Sequence, residues 1–163
     1  MTRRGALIVD CRLPARVRAP SRRLMARWAD AALGTRGIGH EMALQVVSAT
    51  RMRALNRKYC GKDKPTNVLA FPAPPAPGVR PQPLGDVVIC PVVLRREARD
   101  QGKTEMAHWA HLIVHGALHL AGYDHEQDDE AARMERREIA VLKRLGFGNP
   151  YRRDQRPAGE RHG

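Results

Sequence analysis

A chain of 163 residues fits one compact domain with a real core and is short for two, so a single active site is expected. The formal charge is +12, from 29 basic against 17 acidic residues, which points to a polyanionic partner, because Arg and Lys release condensed counterions when they neutralise phosphates. No window approaches the roughly 18 to 20 uninterrupted apolar residues of a membrane span, and the Arg-rich start lacks a signal peptide's apolar run, so no membrane role and a cytoplasmic location are expected.

In chain order, ALIVD (6 to 10) reads as a short strand. Ser21 is positioned as an N-cap, and Leu24, Met25, Trp28, Ala31, Ala32 and Leu33 recur at helical spacing until Gly34. EMALQVVSAT has the alternation of a strand, MRALNRKY that of a short basic helix ended by Gly61, and NVLAFP (67 to 72) that of a third strand. PAPPAPGVRPQPLG, with six prolines, predicts an extended surface loop, either a connector or a flap over the site. DVVIC (86 to 90) is a fourth strand, and Pro91 opens a helix through about Gln101. Two longer helices follow, about Glu105 to Ala121 and about Asp128 to Leu145, the second with acids in its first turn and Lys143 and Arg144 in its last. The pattern predicts an α+β domain over residues 1 to 150, with a small, about four-stranded mixed sheet and about five helices, the metal-binding one central. Residues 151 to 163 have the composition of a disordered basic tail.

The charge is uneven. Residues 1 to 27 hold eight Arg against one Asp, and residues 51 to 64 hold six basic residues against Asp63. Cys11, Cys60 and Cys90 form no CxxC pair and read as free thiols.

The chemistry concentrates in VHGALHLAGYDHEQDD, 114 to 129. Successive helical residues rotate by about 100°, so His115 and His119 project from one face a turn apart. Gly122 can take positive φ and end the helix, which lets His125 approach from the side. Three imidazoles leave a fourth position on a divalent ion open, as at catalytic rather than structural zinc, and a water there can ionise near neutral pH. Zinc is the expected metal, although three imidazoles also suit nickel, cobalt or copper. His108 and His111 share that face, either lining the cleft or standing as exposed polar residues. Asp124 suits either a partner of a ligand imidazole or a helix cap. Gly116 occupies the place where an HExxH protease carries its Glu, the group that hands a proton to a leaving amine. Phosphodiester cleavage leans more on charge stabilisation by metal and cations, so the glycine and the basic surface agree.

HWAHLIVHGALHLAGYDHEQDDEA (108 to 131), GKDKPTNVLAFP (61 to 72) and LGDVVIC (84 to 90) together resemble the YbeY family of bacterial endoribonucleases and rRNA maturation factors. The resemblance spans about residues 40 to 150, and HGxLHLxGYDH is its most specific element. It implies a zinc-dependent endoribonuclease acting on single-stranded RNA, in processing of the 16S rRNA 3′ end, ribosome maturation and ribosome quality control. Zinc would be held by His115, His119 and His125, and the implied partners are the ribosome, small-subunit ribosomal proteins and the GTPase Era. The family usually has an Arg just before the GKD motif, where this chain has Cys60. Cys is no substitute for a guanidinium fork, so a neighbour such as Arg57, Lys58 or Lys62 supplies the cation or nuclease activity is weakened. Cys60 could also close the metal site as a fourth ligand, or simply pack at a helix end. Asp86 is a candidate base or orienter, with a strand-end cap as the plainer role, and turn-building is the plainer role of Asp63, Thr66 and Asn67. Two alternatives stand beside the nuclease: an rRNA-binding assembly factor with weak or no nuclease activity, and a metalloprotease.

Overall fold

The computed structural model describes residues 6–123 and 128–152. Its elements run β1 (Ile8–Arg12), α1 (Arg22–Leu33), β2 (His40–Val46), α2 (Ala49–Cys60), β3 (Val68–Pro72), β4 (Gln82–Ile89), α3 (Pro91–Asp100), α4 (Glu105–Leu120) and α5 (Asp128–Arg144). The α+β class, the four strands and the five helices are those expected. The caps explain the helix starts: the side chains of Ser21, Ser48 and Thr104 accept from the backbone N–H groups of Leu24, Arg51 and Ala107, each at 3.1 Å.

The sheet order is β1-β2-β4-β3, with β1, β2 and β4 parallel and β3 antiparallel to β4 along the far edge. β4 starts four residues earlier than the DVVIC reading, so it absorbs the end of the proline-rich stretch. It accommodates this through a bulge opposite Glu41 and Met42, where Gly85 takes φ +132° and a Cβ would stand 2.1 Å from the Phe71 carbonyl oxygen. Only glycine fits there.

Strand alternation sorts the side chains onto two faces. Val9, Met42, Leu44, Val46, Val68, Ala70, Val87 and Ile89 join the main core with Trp28 and Leu33 of α1, Trp109, Ile113 and Leu118 of α4, and Met134, Val141 and Leu142 of α5. On the other face Val88 and Cys90 meet Met52 of α2 in a smaller cluster bordered by Leu69 and Phe71. Asp10, Arg12, Glu41, Ala43, Phe71 and Asp86 line an open trough beside it. α4 approaches the sheet so closely that a Cβ on Gly116 would lie 2.6 Å from Val87 Cγ1, inside van der Waals contact with a buried, β-branched side chain. The position after His115 therefore faces the sheet, and glycine there answers a packing demand whatever the chemistry.

Among the described residues no helix is long and apolar enough to cross a membrane. All three cysteines are free, Cys90 buried and Cys60 exposed.

Candidate metal and nuclease site

α4 carries His108, His111, His115 and His119 at spacings of three, four and four, so they form one stripe along the helix. Successive ring centroids lie 6.0, 6.1 and 4.9 Å apart. This stripe faces two carboxylates that the sequence reading had not singled out.

The first is Glu138 of α5, fully buried. Its Oε1 accepts from His115 Nδ1 at 2.5 Å, and its Oε2 accepts from His111 Nε2 at 3.2 Å and from the Tyr151 hydroxyl. Burial alone would raise the Glu138 pKa, but hydrogen bonds from His111, His115 and Tyr151 outweigh it and hold the carboxyl down to about 2. An ionised carboxylate only accepts, so the protons sit on Nδ1 of His115 and Nε2 of His111. A neutral His115 ring then carries its lone pair on Nε2, the tautomer that carboxylate partners impose on metal-ligating histidines. Burial lowers the His111 pKa, only partly opposed by Glu138, so that ring is neutral at pH 7. Burial also raises the pKa of Tyr151, and its bond to Glu138 adds to the shift, so the phenol stays a donor.

The second carboxylate is Glu97 of α3. It accepts from His108 Nε2 at 2.9 Å and from Asn67 Nδ2 at 2.9 Å. Asn67 Oδ1 in turn accepts from the Val68 N–H at 2.6 Å. His108 is therefore a buried brace between α3, α4 and the start of β3, and with His111 it lines a pocket shared with Asn67, Glu97 and Tyr151. Among the described residues the buried Nδ1 atoms of His108 and His111 meet no hydrogen-bond partner.

The donor chemistry suits a divalent ion. His111, His115 and Glu138 each bring one donor atom to within 4.8 Å of the others and could hold a metal ion. His119 sits one turn beyond His115, and Gly122 takes φ +97° just after the helix. His125 and Asp124 lie outside the described residues.

Other expected residues fall elsewhere. Asp86 shares its face of β4 with Val88, opposite the Val87 face on which α4 packs, so the structure does not bring it to the histidines. Arg57, Lys62 and Cys60 are exposed at the end of α2 and in the turn after it, and among the described residues no hydrogen bond, ion pair or ring contact joins them to the histidines. The turn is fastened to α2: Arg53 donates to both oxygens of Asp63 at 2.9 and 3.1 Å, and Asn56 Nδ2 donates to the Lys64 carbonyl at 2.8 Å. Asp63 thus builds the turn, whereas Asn67 ties the start of β3 to Glu97 of α3. Tyr151, assigned by composition to the tail, instead reaches back to Glu138 and packs edge-on to His111 at 5.3 Å.

The Glu138 signal was present in the sequence. Met134, Glu138, Val141 and Leu142 stand at helical spacing, so a carboxylate occupies the middle of the apolar stripe of α5.

The family model described as Endoribonuclease YbeY matches residues 15–146. The Endoribonuclease YbeY of Halorhodospira halophila is 48% identical over 136 residues, covering 82% of this chain and 88% of that protein. The solution structure of a Thermotoga maritima protein aligns with TM-score 0.55 at 21% identity, covering 90% of this chain and 100% of the other, a likeness of fold.

Proposed function

This chain belongs to the YbeY endoribonuclease family, and on that premise we propose that it is a metal-dependent endoribonuclease that cuts single-stranded RNA, with zinc held by His115, His119 and His125. The observation that carries the ligand choice is the 2.5 Å bond between His115 Nδ1 and Glu138. A metal among His111, His115 and Glu138 would have to displace the protons that both histidines donate to the carboxylate, whereas ligation through His115 Nε2 leaves every one of those bonds in place. Zinc bound there would supply Lewis acidity toward the phosphodiester and its attacking oxygen.

The chain's own groups have separable tasks. Glu138 fixes the His115 ring and, as an anion, favours a cation on its far nitrogen. Tyr151 and His111 satisfy the second carboxylate oxygen, so Glu138 cannot swing to another partner. The cations of α2 and its turn, Arg57, Lys58 and Lys62 among them, draw in and hold the phosphate backbone, a task that needs charge nearby rather than contact with the histidines. No general base is assigned to Asp86. Action on the 3′ end of 16S rRNA, in ribosome quality control, and beside small-subunit proteins and Era is the biological setting in which we place this activity.

The test is cleavage of a single-stranded rRNA fragment by metal-loaded protein, with metal content read by elemental analysis. His115→Ala is expected to lose both the metal and the cleavage. Unchanged cleavage by this variant overturns the mechanism. Cys60, where the family pattern has Arg, supports a second reading, an rRNA-binding assembly factor with weak nuclease activity. That reading predicts that His115→Ala still binds ribosomes and rescues growth, and restoring the guanidinium with Cys60→Arg then raises cleavage without changing metal content.

A further inference from the structure

Between α2 and the sheet face opposite α4 lies a pocket of about 280 Å³ that no step of the proposed cleavage uses. It falls just below the roughly 300 to 1,000 Å³ of typical ligand sites, a size for one planar heterocycle rather than a run of nucleotides. Val88 lies at its base, and Phe71 and Tyr59 give it an aromatic wall, their rings 5.1 Å apart and inclined at 60°. Tyr59 is 58% exposed, and the Lys58 ammonium sits 5.1 Å from its centroid. An exposed aromatic beside cations is the composition of a stacking platform for single-stranded nucleic acid.

The polar lining narrows the ligand. Asp86, Gln45 and Arg51 border the pocket, and neither Asp86 nor Gln45 spends its side chain on a hydrogen bond or ion pair among the described residues. A carboxylate only accepts. Guanine alone among the four RNA bases presents two adjacent donors, N1–H and the N2 amine, on its pairing edge. Uracil flanks one donor with two carbonyls, and adenine and cytosine each set an amine beside a bare ring nitrogen that would face the carboxylate lone pairs. Gln45, with both a donor and an acceptor, can answer the remaining O6. Arg51 borders the pocket and Lys58 lies against the Tyr59 ring, two cations for a phosphate within the stretch of six basic residues against one Asp.

We propose that this pocket is a guanine subsite for the RNA strand, read by Asp86 and Gln45 and walled by Tyr59 and Phe71. The proposal rests on the RNA-cleaving reading for its substrate class. Because Asp86 and α4 lie on opposite faces, the guanine held here belongs to a nucleotide away from the scissile phosphate, reached around the β3 edge of the sheet.

Equilibrium dialysis of the full chain with GMP, IMP, AMP, CMP and UMP tests this without any bond to cleave. GMP is expected to bind about tenfold more tightly than AMP, CMP or UMP, the size of one good bidentate base contact. IMP, which lacks the N2 amine, should fall between. Asp86→Asn should erase the GMP advantage, while Tyr59→Ala should weaken all five monophosphates together. Equal affinities, a preference for another base, or a GMP preference that survives Asp86→Asn in a folded variant overturns the proposal. The two readings separate cleanly: a guanine preference in a protein that cuts no RNA keeps this site and sinks the nuclease, and cleavage by a protein blind to guanine does the reverse.

Discussion

The two faces of the sheet are built to different rules. On the α4 face, core side chains fill the space, and the polar groups admitted are tied to one another, as in Glu138 with His111, His115 and Tyr151, or Glu97 with His108 and Asn67. On the α2 face the apolar cluster is small, and beside it charged and aromatic groups line open pockets with hydrogen-bonding capacity to spare. Orienting a metal ligand to within a hydrogen bond needs a rigid, dehydrated frame. Binding an RNA strand needs accessible cations and donors. The difference teaches that one thin sheet serves both by giving each requirement its own side, and it makes a sharp forecast: substitutions on the α4 face should move stability, and those on the α2 face should move RNA affinity.

The largest expected effect is at Glu138. Glu138→Ala leaves three donors without their acceptor, and each buried donor left unsatisfied costs about 1–3 kcal/mol. Urea unfolding should show that loss together with reduced metal content. A loss below about 1 kcal/mol would break the comparison, since the buried network would then carry no more weight than a surface group. Gly116→Ala comes next. Its Cβ would press to 2.6 Å on Val87, and overpacking of that kind costs about 1–3 kcal/mol. On the opposite face Tyr59→Ala should stay within about 0.5 kcal/mol, because more than half of the residue is already in water.

Glu97 gives a pH signature on the α4 face. Burial pushes its pKa up, but hydrogen bonds from His108 and Asn67 overcome this and leave it below the ordinary 4.5. A carboxyl with a lower value folded than unfolded contributes stability that is fully present above pH 4.5 and lost as pH falls through the folded value. The unfolding midpoint should therefore drop as pH goes below 4.5, and Glu97→Gln should flatten that slope while lowering the midpoint at neutral pH. Parallel curves for the two proteins would show that Glu97 is no more stabilised folded than unfolded.

How much of each face could be read in advance follows from where its determinants lie. Helical and strand periodicity placed the four strands and five α-helices of the described residues to within a few residues, because burial on the α4 face imprints a regular apolar stripe. The His115 and His119 pair was legible for the same reason, since helical geometry alone sets it. Glu138 left only the faint mark of a carboxylate within the apolar stripe of α5, because its partners depend on α5 docking across α4, and within MERREIAVLKR one more Glu looks like solvated surface. Asp86 shows the complementary limit. Alternation puts it opposite Val87, but nothing local says which face α4 will cover, so its chemistry pointed toward the metal while its side of the strand pointed away. Tyr151 was hidden by its company, a polar, Arg-rich segment whose composition says nothing of one ring folding back.

The smallest effect should come from the ion pair of Arg53 and Asp63. It is bidentate, at 2.9 and 3.1 Å, but the side chains are 58% and 53% exposed, so water and salt screen it. Asp63→Asn should leave the unfolding midpoint within error. It should nevertheless act on RNA, because Asp63 is the only acid among residues 51 to 64, and its loss frees the Arg53 guanidinium for a phosphate. Affinity for a single-stranded RNA should rise at low salt, and the slope of log affinity against log salt should steepen by about 0.7, one more counterion released from a single strand. A steeper slope with an unmoved midpoint is what a recognition face predicts. A moved midpoint with an unchanged slope would make α2 and its turn part of the frame, and the division between the two faces would fail at the point where it is easiest to measure.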